Sequence, residues 1–209
     1  MEHWATIAAE RRALADQLET LDDAQWATPS LCGEWTVRHV AAHLVVPNKV
    51  KLGRFLVTFA GARFNFDRAN VAMTAREAQH SPQEIVADLR THASGRFAPP
   101  GMGSIAPLTD ILVHGQDIRV PLGLATDRPV DPWASSLDFV VSKKAQRGFV
   151  GKPLPPLRLA ATDLDWSHGE GDEVSGPAVA LTLALLGRPA LLDQLTGPGA
   201  PALASWIAR

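Results

Sequence analysis

The chain has 209 residues, of which 46% are hydrophobic, and its formal net charge is −2. This length suits one domain, or one domain with a small appendage. A nearly neutral chain without an arginine-rich tract has no strong electrostatic attraction to DNA or RNA, so we expect no nucleic-acid partner.

Cys32 is the single cysteine, which rules out a disulfide within the sequence and favours a reducing compartment. The first residues lack the apolar core of a signal peptide, and no apolar run reaches the roughly 18–20 residues of a membrane span. We therefore predict a cytoplasmic protein with no membrane partner.

Most of the chain shows helical periodicity, with apolar residues at steps of three and four. The segment between Gly61 and Ser81 is mixed and is predicted to be a loop with a short helix. The first two predicted helices are Glu2–Leu21 and Thr36 to about Phe59, the latter with a kink at Pro47. A third begins at a capping box formed by Ser81 and Glu84. Two more run from Ser104 to about Val120 and from Asp131 to about Phe149.

The composition changes at Gly151, where GKPLPP resembles a linker. From Leu157 the apolar residues of the next segment alternate as they do in a strand. Gly171–Gly176 is predicted to be a turn. Pro177–Leu186 is predicted to be a helix, followed by two short helices. The fold class is therefore mainly α, with a helical domain over residues 1–150 and a small α/β domain over 151–209.

Histidines and a carboxylate recur at helical spacing on two of these helices. His39 and His43 are four residues apart, as are Asp110 and His114, so each pair shares a helix face. Two imidazoles and one carboxylate suit zinc or another divalent first-row metal, and three protein ligands leave an open coordination position. A single helical histidine is more often an ordinary surface or core residue, so spacing alone leaves both interpretations open.

Two segments, LCGEWTVRHVAAHL and DILVHGQDIRVPLG, resemble the mycothiol-dependent maleylpyruvate isomerase-like family of the DinB-like metalloprotein superfamily. SPQEIVADLR and the C-terminal segment from LDWSHG onward are similar to further parts of that family. The resemblance implies a four-helix bundle that binds a metal through His43, Asp110 and His114.

Two positions depart from the family pattern. The family typically has Glu where this chain has Asp110, and the shorter side chain would bring the metal closer to its helix, weaken its binding or recruit Asp117. His39 stands where an acidic residue is expected, and it either supports the site or faces solvent.

Four further residues are candidates near this chemistry. Asp117 is a candidate catalytic residue that would orient the His114 imidazole, although an ion pair near the helix end explains it equally well. Arg119 and Arg188 are candidates for binding the thiol cofactor or a substrate carboxylate, although a surface role is the commoner one for a single arginine such as Arg188. Cys32 could be a nucleophile or ligand, but a small buried residue in the helix-entry turn is the favoured interpretation.

Three functions follow from these residues. The first is an isomerase or S-transferase that uses a low-molecular-weight thiol, mycothiol by resemblance, as a metal-bound nucleophile toward a small electrophilic substrate. The second is a non-catalytic metal- or ligand-binding protein of the same fold. The third is a metal-dependent hydrolase with Asp117 or His39 as its base. A homodimer is left open.

Overall fold

The computed structural model describes residues 2–126 and 128–208, together with every side chain among them except that of Leu52. The chain folds into two compact units, one ending at Ala125 and one beginning at Thr126. The composition predicted a boundary near residue 150 instead. The difference arises because the helix after Asp131 packs on the helix Ala178–Leu185 of the second unit.

Helices make up the described part of the first unit. They are α1 (Trp4–Leu18), α2 (Asp23–Trp26), α3 (Val37–Lys49), α4 (Leu52–Gly61), α5 (Phe66–Glu77), α6 (Pro82–Thr91) and α7 (Ile105–Leu122). Helices α1 and α3 each pack against both α6 and α7, so these elements form the predicted four-helix bundle. Helix α5 packs on α3, and α4 packs on α5.

The bundle core follows the predicted periodicity. Val40 and Leu44 of α3, and Leu108 and Ile111 of α7, are buried, because residues at three- and four-residue steps line one side of a helix. The predicted capping box of α6 is present, since the Glu84 amide donates to Ser81 Oγ at 3.3 Å and the Ser81 amide donates to Glu84 Oε2 at 2.8 Å.

Two predicted boundaries in this unit are wrong. The helix predicted from Thr36 to Phe59 ends at Lys49 and restarts as α4, because Val50 and Lys51 take extended backbone angles shortly after Pro47. The loop predicted after Gly61 contains α5, which has 12 residues. Its start is capped by Asn65, whose side chain accepts a hydrogen bond from the Arg68 amide at 2.9 Å.

The second unit combines helices with a three-stranded sheet. Its elements are α8 (Pro132–Val140), α9 (Lys143–Ala145), a π-helical turn (Gln146–Val150), β1 (Leu157–Ala161), β2 (Ser167–His168), β3 (Asp172–Gly176), α10 (Ala178–Leu185), a 3₁₀ helix (Pro189–Gln194) and α11 (Ala200–Ile207). The strand order is β2-β1-β3, with β1 antiparallel to β2 and parallel to β3. The α/β character predicted for the C-terminal part is confirmed.

Two further predictions are corrected here. Gly171–Gly176 is not a simple turn, because β3 pairs with β1 along five positions and buries Val174. The helix predicted from Asp131 to Phe149 is divided after Val140, since Ser142 is extended and its hydroxyl caps a new turn by accepting from the Ala145 amide.

Among the residues described, no helix has both the length and the apolar character needed to span a membrane.

Gly95 gives a test of the packing between α3 and the segment after α6. A Cβ atom at Gly95 would stand 2.6 Å from Cγ and 2.9 Å from Cβ of Asn48, too close for either atom. We expect Gly95→Ala to lower the free energy of unfolding by about 1–3 kcal/mol, as overpacking does, measured by urea denaturation. Gly53→Ala is the matched control, because nothing lies within 4 Å of its Cβ position. Equal stability of the two variants would contradict the described contact.

Candidate metal centre

Helices α3 and α7 bring the three predicted metal ligands together. His43 lies on α3, and Asp110 and His114 lie one turn apart on α7, which packs against α3. One ligand atom from each of the three residues lies within 4.8 Å of the other two. The convergence expected from the sequence is therefore present in the structure, while the binding of a metal stays a prediction.

The spacing of these atoms suits ligands of one ion better than a direct hydrogen bond. Asp110 Oδ1 lies 3.4 Å from His43 Nε2 and 3.5 Å from His114 Nε2. Hydrogen bonds of this type are about 2.7–3.2 Å long. Two ligands about 2.1 Å from a tetrahedral zinc ion stand about 3.4 Å apart. The residues thus fit a small divalent ion.

Of the three candidate metal ligands, the two histidines are mostly buried and the Asp110 carboxylate is the most exposed. The side chains of His43 and His114 are 11% and 13% exposed, whereas that of Asp110 is 36% exposed. A small molecule would therefore approach from the Asp110 side.

Asp117 fixes the orientation of one histidine. Its Oδ2 lies 2.8 Å from His114 Nδ1, and its side chain is fully buried. Since a carboxylate accepts hydrogen bonds, this contact favours the tautomer with a proton on Nδ1 and a lone pair on Nε2, the atom that faces Asp110. This contact is the one that the orienting role requires, and that role for Asp117 stays a prediction.

His43 is held by ring packing instead of a hydrogen bond. Its Nδ1 is buried and has no hydrogen-bond partner among the described residues. The ring lies 5.2 Å from the ring of Trp35 and 4.8 Å, edge to face, from that of His114. Trp35 therefore packs against His43, one of the candidate metal ligands. The sequence did not predict this contact.

Neighbouring groups keep the Asp110 carboxyl ionised. Partial burial by itself raises the pKa of Asp110, but the adjacent His43 imidazole, with smaller effects from His114 and Arg11, lowers that pKa to about 2. An ionised carboxylate at neutral pH is the form that binds cations.

Arg11 is a buried cation that sequence reasoning missed. Its side chain is buried in α1, and its Nη1 donates to the carbonyl oxygens of Ala93 and Gly95. The available signal was its position four residues after Ile7 and seven before Leu18, on the apolar side of the helix.

The loop before α3 places Cys32 beside the site. Gly33 takes a left-handed backbone angle, φ 58°, and the Leu31 amide donates to the carbonyl oxygen of Asp117. Cys32 is half-buried, and its Sγ lies within 4.8 Å of ligand atoms of both His114 and Asp117. A role for Cys32 as nucleophile or ligand stays untested.

The two arginines predicted to bind the cofactor have local partners. Arg119 is 2% exposed, and its Nε donates to Gln17 Oε1 at 2.7 Å, which joins α7 to α1. Arg188 lies in the second unit, where its Nη1 donates to the Leu186 carbonyl. These contacts give Arg119 a packing role, and the cofactor-binding roles of both residues stay predictions.

His39 takes part in starting α3. Its Nδ1 lies 2.9 Å from Thr36 Oγ1, at the first turn of the helix, and the residue is half-buried. It therefore has a structural partner, which accounts for a histidine at this position without a metal.

A second cluster of possible metal ligands in the first unit already contacts the side-chain cation of a lysine. Glu77, His80 and Asp88 could together hold an ion, but Lys49 Nζ lies 2.7 Å from Glu77 and 2.6 Å from Asp88. Burial opposes the charge on Lys49, yet its hydrogen bonds to the two carboxylates raise its pKa overall. The ammonium group thus occupies the place that a metal would take.

Residues 7–98 match the family model described as the mycothiol maleylpyruvate isomerase N-terminal domain. The family resemblance is confirmed. The matched segment contains His43 and ends before Asp110 and His114. Two solved structures share the fold: a mycothiol-dependent maleylpyruvate isomerase, with a TM-score of 0.58, and a histidine-to-alanine mutant of such an isomerase, with a TM-score of 0.59. Each is 16% identical to this chain, and the alignments cover 95% of this chain and 92% of the other. No curated protein matches the sequence.

Asp117→Asn tests the orienting contact. An amide is a weaker acceptor than a carboxylate and no longer favours a proton on Nδ1 of His114, so we expect zinc affinity to fall about 10–100-fold. Competition with a chromophoric chelator would measure the affinity. Asp88→Asn is the matched control, since it removes a carboxylate from the Lys49 group and should leave zinc affinity unchanged. Wild-type affinity in Asp117→Asn would reject the orienting role.

Proposed function

We propose that this maleylpyruvate isomerase-like protein is a metal-dependent enzyme that uses a low-molecular-weight thiol, mycothiol by family, as its nucleophile. The proposal rests chiefly on one observation, the approach of His43 Nε2 and His114 Nε2 to the same oxygen of Asp110. The family match and the shared fold support the choice of thiol.

The ligand set favours zinc among the common divalent ions. Two imidazole nitrogens and one carboxylate oxygen form the set found in catalytic zinc sites, which keep one position for water or substrate. A bound divalent ion would supply the positive charge that keeps a coordinated thiol deprotonated at neutral pH.

The protein's own residues have three tasks in this scheme. His43, Asp110 and His114 provide the ligand atoms, and Asp117 holds the His114 ring with Nε2 facing the site. Trp35 packs against His43 and limits its rotation. These contacts hold the proposed ligand atoms close together, so the scheme needs little reorganisation when the thiol binds.

The thiolate then acts on an electrophilic carbon. In an isomerase, its lone pair forms an S–C bond to an activated cis double bond, and the π electrons move to the conjugated carbonyl oxygen. Rotation about the resulting single bond and return of the electrons expel the thiolate, so no thiol is consumed. In a transferase, the adduct takes up a proton and leaves with the thiol attached.

A shallow cleft beside the site would receive the electrophile. It is lined by residues 32–35 of the loop before α3, by His39, and by Val71 and Ala75 of α5. Trp35 belongs to this cleft and its ring lies 5.2 Å from that of His43, so an acceptor bound there would be separated from a proposed metal ligand by the Trp35 ring. A cytoplasmic location and a homodimer remain predictions.

Metal content tests the centre directly. We expect the purified protein to hold about one equivalent of zinc per chain, and His114→Ala or His43→Ala to lose it, because two remaining ligands bind weakly. Inductively coupled plasma mass spectrometry would measure the metal. His80→Ala is the matched control from the Lys49 group and should retain it. Metal retained in His114→Ala, or lost only in His80→Ala, would refute the proposed centre.

Thiol dependence tests the reaction. We expect turnover of small cis-configured conjugated acids or ketones only with zinc and mycothiol together, and no turnover by Asp110→Asn. Counting free thiols during turnover distinguishes an isomerase, which leaves their number constant, from a transferase, which consumes one per product. Turnover without thiol would indicate a hydrolase instead. A zinc-loaded protein inactive on the whole panel would indicate the non-catalytic function.

A further inference from the structure

Helix α4 has apolar side chains that pack on its own unit and further apolar side chains that are exposed. Phe55 and Phe59 pack toward the small cluster of Val46, Ala69 and Met73. Beside them on the helix, Leu56, which stands one turn before Phe59, is 54% exposed, and Val57 is 75% exposed. Soluble proteins rarely leave neighbouring large apolar side chains exposed, so this part of α4 lacks a cover among the described residues.

The turn after α4 adds two phenylalanines that pack on the aromatic residues of that helix, since the Phe64 ring lies 5.6 Å from that of Phe59 and the Phe66 ring lies 6.4 Å from that of Phe55. Phe64 and Phe66 are 73% and 53% exposed. Arg63 and Phe64 both take left-handed backbone angles, φ 56° and 59°, a conformation that residues other than glycine rarely adopt. We name the surface formed by Leu56, Val57, Phe64 and Phe66 the α4 patch.

Basic residues surround the α4 patch. Lys51, Arg54, Arg63 and Arg68 are all exposed, and Asp67 is the single acidic residue between positions 50 and 68. None of these four cations has an ion-pair partner among the described residues. The local charge is thus opposite in sign to the formal net charge of −2 for the whole chain.

We propose that the α4 patch binds the surface of an anionic lipid bilayer, with the apolar side chains entering the interface and the four cations contacting lipid phosphates. Exposed Leu and Phe side chains beside Lys and Arg are the composition of helices that lie in the plane of a membrane interface. This contact is peripheral and needs no spanning segment. It therefore differs from the prediction of no membrane partner, which rested on the absence of spanning segments.

Charge argues against a second copy of the chain as the cover. A two-fold contact would place the cations of one copy against the same cations of the other, and like charges brought together in an interface cost free energy. An anionic bilayer instead attracts each of them.

Co-sedimentation with vesicles tests the proposal. The full-length protein should bind vesicles of equimolar phosphatidylcholine and phosphatidylglycerol, bind phosphatidylcholine alone much more weakly, and dissociate at high salt. The double variant Leu56→Ser, Val57→Ser should bind at least about tenfold more weakly, because it removes apolar area from the interface. Arg54→Gln, Arg63→Gln should also weaken binding and reduce its salt dependence.

The double variant Val130→Ser, Phe149→Ser is the matched control. These residues are exposed apolar side chains of the second unit, at 41% and 53%, and their replacement should leave vesicle binding unchanged. Circular dichroism would confirm that each variant is folded, which is expected because every replaced side chain is exposed. Equal binding by the α4 variant and wild type, or loss of binding in the control, would overturn the proposal. A wild-type dimer that bound no vesicles and became monomeric in the α4 variant would overturn it in favour of self-association.

Discussion

The packing of α3 against α7 is the constraint on which the candidate metal centre depends. His43 lies between the buried residues Val40 and Leu44 of α3, and Asp110 precedes the buried Ile111 of α7. Because the candidate ligands share helices with core residues, they cannot separate without exposing apolar surface to water. Side chains on helices so constrained hold their relative positions better than side chains on loops. The same burial that stabilises the bundle therefore sets the distances between the ligand atoms.

The two histidines are oriented by different physical means. His114 has a buried carboxylate, Asp117, at hydrogen-bond distance from Nδ1, so the contact fixes both its rotamer and its tautomer. His43 has no such partner within the described part of the chain and is held by the rings of Trp35 and His114. Ring packing fixes the rotamer of His43 but does not determine which of its two ring nitrogens is protonated. The loop that carries Trp35 thus belongs to the site as much as the helices do.

Local signals predicted the features of this chain that depend on short spacing. The cap at Ser81, the periodicity of α3 and α7, and the pairing of Asp110 with His114 all follow from residues three or four apart. What the sequence did not predict depends on distant partners. Strand β3 forms because β1 offers a parallel edge, and Arg11 is buried because the carbonyls of residues 93 and 95 satisfy it. Patterns within a short window place Arg11 on the apolar side of α1, but they do not identify distant partners such as these.

The departure from glutamate at Asp110 is compatible with the geometry of the site. A shorter carboxylate could have failed to reach the imidazoles, yet Oδ1 stands almost equally far from both Nε2 atoms. Recruitment of Asp117 is then unnecessary, and the structure argues against it. Asp117 lies at the Nδ1 edge of the His114 ring, opposite the edge that faces Asp110. One ion could be shared by both carboxylates only if the ring turned and the buried hydrogen bond broke, which would leave the Asp117 carboxylate without that partner in the core. The shorter side chain therefore moves the expected ion position toward α7 without changing which residues surround it.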